Sequence, residues 1–69
     1  MKKNTSHNFI AVRQDDGKVE YAPTIERVEI EARKLSREGE SDVCTYKLVR
    51  GKWEDIATVN AVKGIFYVM

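Results

Sequence analysis

His7 and Cys44 are the only residues of their kinds in the chain, so nucleophilic chemistry would have to be built around them. A reactive thiol needs an imidazole beside it and a third group to orient that imidazole. His7 falls in a polar stretch ahead of the first strand. Cys44 alternates with Tyr46 and Leu48, which predicts a position facing the core, where a thiol behaves as a small hydrophobe. The sequence therefore assigns no catalytic residue. One histidine, one cysteine and scattered carboxylates give no zinc spacing. Asp15-Asp16-Gly17 has the opening of a calcium loop but lacks the later ligands and the closing glutamate; it reads as a turn. Gly17, Gly39, Gly51 and Gly64 stand singly between elements, and none belongs to a phosphate-cradling cluster. No cofactor and no metal is expected.

The residues that remain are suited to touching something. Lys47, Arg50 and Lys52 surround Trp53 along two strands that a tight turn would join. Such a hairpin can hold a phosphate backbone while the indole stacks on a base, or it can receive an acidic protein surface. The plainer reading, which the residues favour, is a core tryptophan with solvated cations on an edge hairpin. Ile30 lies on the charged side of the helix among Arg27, Lys34 and Arg37. A lone exposed isoleucine is ordinary; as a functional residue it would be a contact for a partner helix or a second copy.

The elements that must position these side chains follow from periodicity. Phe9 to Arg13 and Val19 to Ala22 are predicted strands joined by the turn Gln14 to Lys18, where Gly17 supplies positive φ. Pro23 ends the second strand and Thr24 caps a helix. Ile25, Val28, Ala32 and Leu35 form its apolar stripe. Glu29 with Arg33 and Lys34 with Glu38 are opposite charges four apart, and Gly39 is expected to supply the left-handed stop. Val43 to Val49 and Trp53 to Val59 form a second hairpin about Arg50-Gly51 or Gly51-Lys52. Asn60 to Gly64 reads as a loop or a single helical turn, and Ile65 to Val68 as a last strand. The expected fold is α+β: a small antiparallel sheet in the order β-β-α-β-β-β, with one amphipathic helix on one face. Residues 1–6 are expected to be a flexible tail and 7–69 a single domain.

Composition narrows the function. A chain of 69 residues is one domain and buries only about 60% of its unfolded surface, which disfavours a deep substrate pocket. Twelve basic residues against eleven acidic ones is too balanced for a general nucleic-acid binder. A lone cysteine excludes an intrachain disulfide, and no apolar run reaches the ~20 residues of a membrane span. Met1-Lys2-Lys3 opens like a signal peptide, but polar Asn4 to Asn8 follows; a cytoplasmic protein is expected. One helix covers one face of a sheet, yet Phe9 with Ile10, Val43 and Val49 against Leu48, and Phe66 with Tyr67 put apolar residues on both faces. The second face must then be covered by a bend in the chain, a second copy or a partner.

The stretch Ala22 to Glu38, with its Pro23-Thr24 cap and its Glu26, Glu31, Ala32 and Leu35, resembles a pattern in small uncharacterised bacterial and phage proteins. Val28 and Ser36 stand where alanine is usual in that pattern, and the match covers about a quarter of the chain. The resemblance carries no active residues to transfer; it implies an accessory protein of a phage or mobile element. The expected function is a non-enzymatic protein-interaction module of that type, with homodimerisation one way of covering the second face. The alternative is a small nucleic-acid-binding module using Lys47, Arg50, Lys52 and Trp53.

Overall fold

A computed structural model describes residues 7–68; the expected flexible tail, residues 1–6, lies outside the described residues. The elements run β1 (Phe9–Arg13), β2 (Val19–Ala22), α1 (Ile25–Gly39), β3 (Val43–Val49), β4 (Lys52–Asn60) and β5 (Gly64–Tyr67). The strands make one antiparallel sheet in the order β2-β1-β3-β4-β5. The expected α+β architecture is the observed one. The loop expected over Asn60 to Gly64 is a short turn at 61–63: β4 runs on to Asn60, and Gly64 pairs with it to open β5.

Side chains alternate across a pleated sheet, so the registers assign every strand residue to a face. Phe9, Ala11 and Arg13 lie in register with Lys47, Thr45 and Val43, and Val43 and Thr45 with Val59 and Ala57. This is the face that α1 covers. Its core is Ala11, Ala22, Val28, Ala32, Leu35, Val43 and Val59, flanked by Phe9 and Ile65. Alanines on both sides of the contact leave little side chain between backbones, so the helix can lie close to the sheet.

The helix begins as expected. Thr24 is extended (φ −137°, ψ 164°), and its Oγ1 accepts from the amide of Arg27 at 3.1 Å. This satisfies one of the first-turn donors that have no partner inside the helix. Val28, Ala32 and Leu35 are buried, but Ile25 remains 38% exposed because it sits at the helix end, over the rim of the sheet. The stop differs from expectation. Glu40, not Gly39, is left-handed (φ 51°, ψ 45°), and its amide donates to the carbonyl of Ser36. Gly39 is glycine for a different reason: a Cβ there would sit 2.8 Å from both Cδ and Nε of Arg13.

Arg13 explains that close approach. It is 8% exposed and holds the β1–β2 turn against the helix C-terminus. Its Nη2 and Nε donate to Asp16 Oδ2 and Oδ1 at 2.6 and 3.0 Å, and its Nη1 donates to the carbonyl of Leu35 at 3.0 Å. Asp15 lies 3.3 Å away and Glu38 3.5 Å away. A guanidinium on a late helical carbonyl suits the negative end of the helix dipole, and the planar fork matches a carboxylate in a bidentate pair. The expected helix-surface pairs are displaced: Glu38 turns to Arg13 and Lys18, and Glu29 accepts from Tyr67 Oη at 2.7 Å. Arg27 with Glu31 is the i,i+4 pair that forms, at 3.2 Å.

Candidate interaction surface

The face away from α1 can be built strand by strand. Ile10 and Val12 of β1 lie opposite Tyr21 and Val19 of β2 on one side and opposite Tyr46 and Cys44 of β3 on the other. Cys44 continues across to Thr58 and then to Phe66 of β5. Leu48 faces Trp53. Four of the six aromatic residues of the chain, namely Tyr21, Tyr46, Trp53 and Phe66, therefore share a face that no element among the described residues covers. Trp53 is 43% exposed, Tyr21 56% and Phe66 57%, whereas Ile10 in the middle is buried by its neighbours alone.

Trp53 reaches this face through a break in alternation. Strict period two would put Trp53 with Asp55, Ala57 and Val59 against the helix. The β3–β4 register shifts between Thr45 and Tyr46: Thr45 opposes Ala57 while Tyr46 opposes Asp55. Two β4 residues thus span one step of β3, and Ile56 is the extra one. Such a bulge reverses which face every residue beyond it takes. It carries Trp53 and Asp55 out of the core and onto the open face beside Leu48 and Tyr46.

The bulge also separates the residues that the sequence grouped. Lys47 opposes Glu54, and Val49 opposes Lys52, so both lysines project to the helix side of the hairpin while Trp53 projects to the other. Arg50 sits in the turn with φ 53°, followed by Gly51 at 80°. This resolves the turn as Arg50-Gly51, where two positive φ angles match the twist of the flanking strands. Lys47, Arg50 and Lys52 therefore do not ring the indole. Ile30 is 44% exposed, on the outer face of α1 as expected. Cys44 is corrected: it points away from the helix, because Val43 and Thr45 take the inward positions of β3, and its Sγ lies 3.9 Å from Thr58 Oγ1. His7 precedes β1 at the other end of the sheet, roughly 16 Å from Cys44 by the rise of five strand residues. The two are not brought together. Among the described residues, no three histidine, cysteine or carboxylate side chains converge as metal ligands would.

Electrostatics set the two faces apart. Within the strands, the charged side chains Arg13, Glu20, Lys47, Lys52 and Glu54 occupy helix-side register positions, and only Asp55 falls on the open face. Burial among its open-face neighbours, with Cys44 beside it, pushes the Tyr46 hydroxyl up from its ordinary pKa. The hydrogen bond from Arg13 holds the Asp16 carboxyl well below the usual carboxylate range, and the hydrogen bond to Glu29 raises Tyr67.

Grooves flank the helix at both of its ends. One, of about 730 Å³, lies between the helix C-terminus and the β4–β5 turn and is lined by residues including Arg37, Asp42 and Lys63. Its polar groups satisfy one another: Ser36 Oγ accepts from the amide of Ala61, and Asn60 Oδ1 accepts from those of Val62 and Lys63. Asn60 Nδ2 donates to Asp42 Oδ1 at 2.6 Å. The other, of about 320 Å³, lies beneath Ile25 beside Ile56 and Tyr67.

The sequence did not reveal Arg13 as a buried anchor; the signal available was a cation at a register position shared with apolar Phe9 and Ala11. No family model, curated protein or solved structure matches the chain.

Proposed function

We propose that this chain is a non-enzymatic protein-interaction module that works through the open face of its sheet. The observation that carries the reading is an aromatic and aliphatic sheet surface with Asp55 as its only strand charge. A contiguous apolar surface of this kind marks a contact site, and interface cores are enriched in aromatic residues and depleted in charge. The residues offered to a partner are Tyr21, Tyr46, Leu48, Trp53 and Phe66. The nucleic-acid alternative is less well supported: single-strand platforms combine stacking aromatics with cations that track the phosphates, and here the hairpin lysines lie on the other side of the strands from Trp53.

The resemblance of Ala22 to Glu38 to small bacterial and phage proteins supports an accessory or modulator of phage or prophage type. The lone cysteine suits a cytoplasmic setting. Among the described residues, no helix is long and apolar enough to cross a membrane.

Affinity capture from the native host tests the module. Trp53→Glu and Phe66→Glu should abolish retention of the protein that the natural chain captures, and Ile30→Ser should leave it intact. Capture indifferent to both open-face changes, or turnover of a metabolite by the pure protein, refutes the reading. Salt-dependent retention of labelled oligonucleotides, accompanied by a change in Trp53 fluorescence, would transfer the assignment to nucleic acid.

A further inference from the structure

Two features of the molecule identify what covers the open face. The first is the size of the core beneath the helix. Its buried members are three alanines, three valines and one leucine, a small apolar mass for holding a chain of this length. Phe9 and Ile65 pack against that core, while Tyr46, Leu48, Trp53 and Phe66 lie on the other side of the sheet. A face that carries this much apolar surface gains by being covered, and a second copy is the one partner present wherever the chain is.

The second feature is self-compatibility. A two-fold interface sets the same patch against itself, so a patch rich in one sign of charge would repel its copy. Here the single strand charge, Asp55, sits where β4 extends beyond β5, at the side of the patch, and exposed to solvent. It faces Tyr46 across the β3–β4 pair but is exposed past the end of β5, and the rest of the patch meets its copy without opposed charges.

The area suffices. Five strands about 4.8 Å apart and four to nine residues long at ~3.3 Å each give a plan area of roughly 400 Å². The corrugated accessible surface exceeds the plan, so pairing two faces removes on the order of 1,000 Å², the lower limit for a specific interface.

We infer that two copies of the chain pack sheet against sheet through these open faces, forming a homodimer with the helices on the outside. The inference rests on the reading of the open face as a contact surface and names its occupant. Packed sheets lie ~10 Å apart, enough for the two aromatic layers to interdigitate. Dimer formation then stabilises the fold by mass action.

Sedimentation equilibrium of the full chain from about 1 μM to several hundred μM tests this. The natural sequence should pass from monomer to dimer across that range, with Trp53 emission shifting to the blue as dimer forms. Trp53→Glu and Phe66→Glu should each weaken dimerisation more than about thirtyfold while the far-ultraviolet circular dichroism of the helix is retained. Both residues are substantially exposed, so these variants should fold; a conservative Phe66→Leu, which keeps the face apolar, should restore dimer if folding of the charged variant is in doubt. A natural chain that stays monomeric throughout overturns the homodimer. So does dimerisation unchanged by both glutamate substitutions, which would place it on another surface. Neither result removes the module reading if the open-face variants lose a captured protein, so the two failures can be told apart.

Discussion

The two faces of the sheet divide the labour of the molecule unevenly. Beneath α1 the side chains are small, fully buried and closed off by polar anchors: Thr24 at one end of the helix, and Arg13 with Asp16, Glu38 and the Leu35 carbonyl at the other. Opposite, the side chains are large and part-exposed, with a single carboxylate among them. The helix side is finished as a protein interior, while the other side leaves large apolar side chains part-exposed. A buried small residue serves packing alone. An exposed tryptophan brought out of the core by a bulge is surface the fold does not itself use, and that difference is what the proposed function rests on.

Equal truncations on the two faces give the largest test. Leu35→Ala removes a side chain that is 2% exposed and should cost about 3 kcal/mol at any protein concentration. Leu48→Ala removes the same atoms from the open face, where burial is partial. At dilutions that favour monomer it should cost about 1 kcal/mol, rising as concentration rises because the dimer loses a contact. Urea unfolding at two protein concentrations measures both. Equal costs independent of concentration would mean that the faces do not differ in the way proposed.

The anchors at the helix ends come next. Gly39→Ala should destabilise by about 1 kcal/mol through overpacking against Arg13, despite the better helix propensity of alanine. With Arg13→Ala also in place the cost should vanish or reverse, since the obstructing side chain is gone. A cost that persists unchanged in the double variant would show that Arg13 is not the obstacle. Thr24→Ala should lose about 1 kcal/mol, read from the urea midpoint, and Thr24→Ser should lose much less.

A smaller effect concerns pH. Because Arg13 depresses the Asp16 carboxyl in the fold, the unfolded chain binds that proton more readily than the native one. The stabilisation is therefore complete above the ordinary carboxylate value of about 4 and is lost progressively as pH falls below it. Asp16→Asn should lower stability at neutral pH and flatten its decline in acid. Parallel acid profiles for the two proteins would detach Asp16 from the anchor.

The sequence carried the elements and their order, because periodicity and turn chemistry are local: Thr24 capped where a threonine after proline should, and Arg50-Gly51 turned where two positive φ angles were needed. What stayed hidden depended on register. Period two assigns Trp53 to the core with Ala57 and Val59, and only the pairing of β3 with β4 shows the extra residue at Ile56 that reverses it. The same register shift separated Lys47 and Lys52 from the indole. Cys44 was misplaced because both parities of β3 are apolar, so alternation alone could not say which one meets the helix. Gly39 and Arg13 are 26 residues apart, and their contact has no local trace. The open face was nevertheless foreshadowed by apolar residues at both parities of three strands.

The smallest expected effect decides whether the helix shares in association. Ile30 is 44% exposed on the outer side of α1, amid charge and away from the core cluster. Its replacement by serine removes a surface side chain with no buried contacts to lose, so stability should change by less than about 0.5 kcal/mol. Self-association should not change either, because sheet-to-sheet packing leaves the helices outermost. Sedimentation of Ile30→Ser beside Trp53→Glu then separates two geometries that a molecular mass cannot. If the serine variant becomes monomeric and the glutamate variant does not, the copies meet helix to helix, and the open sheet face is left for a different protein.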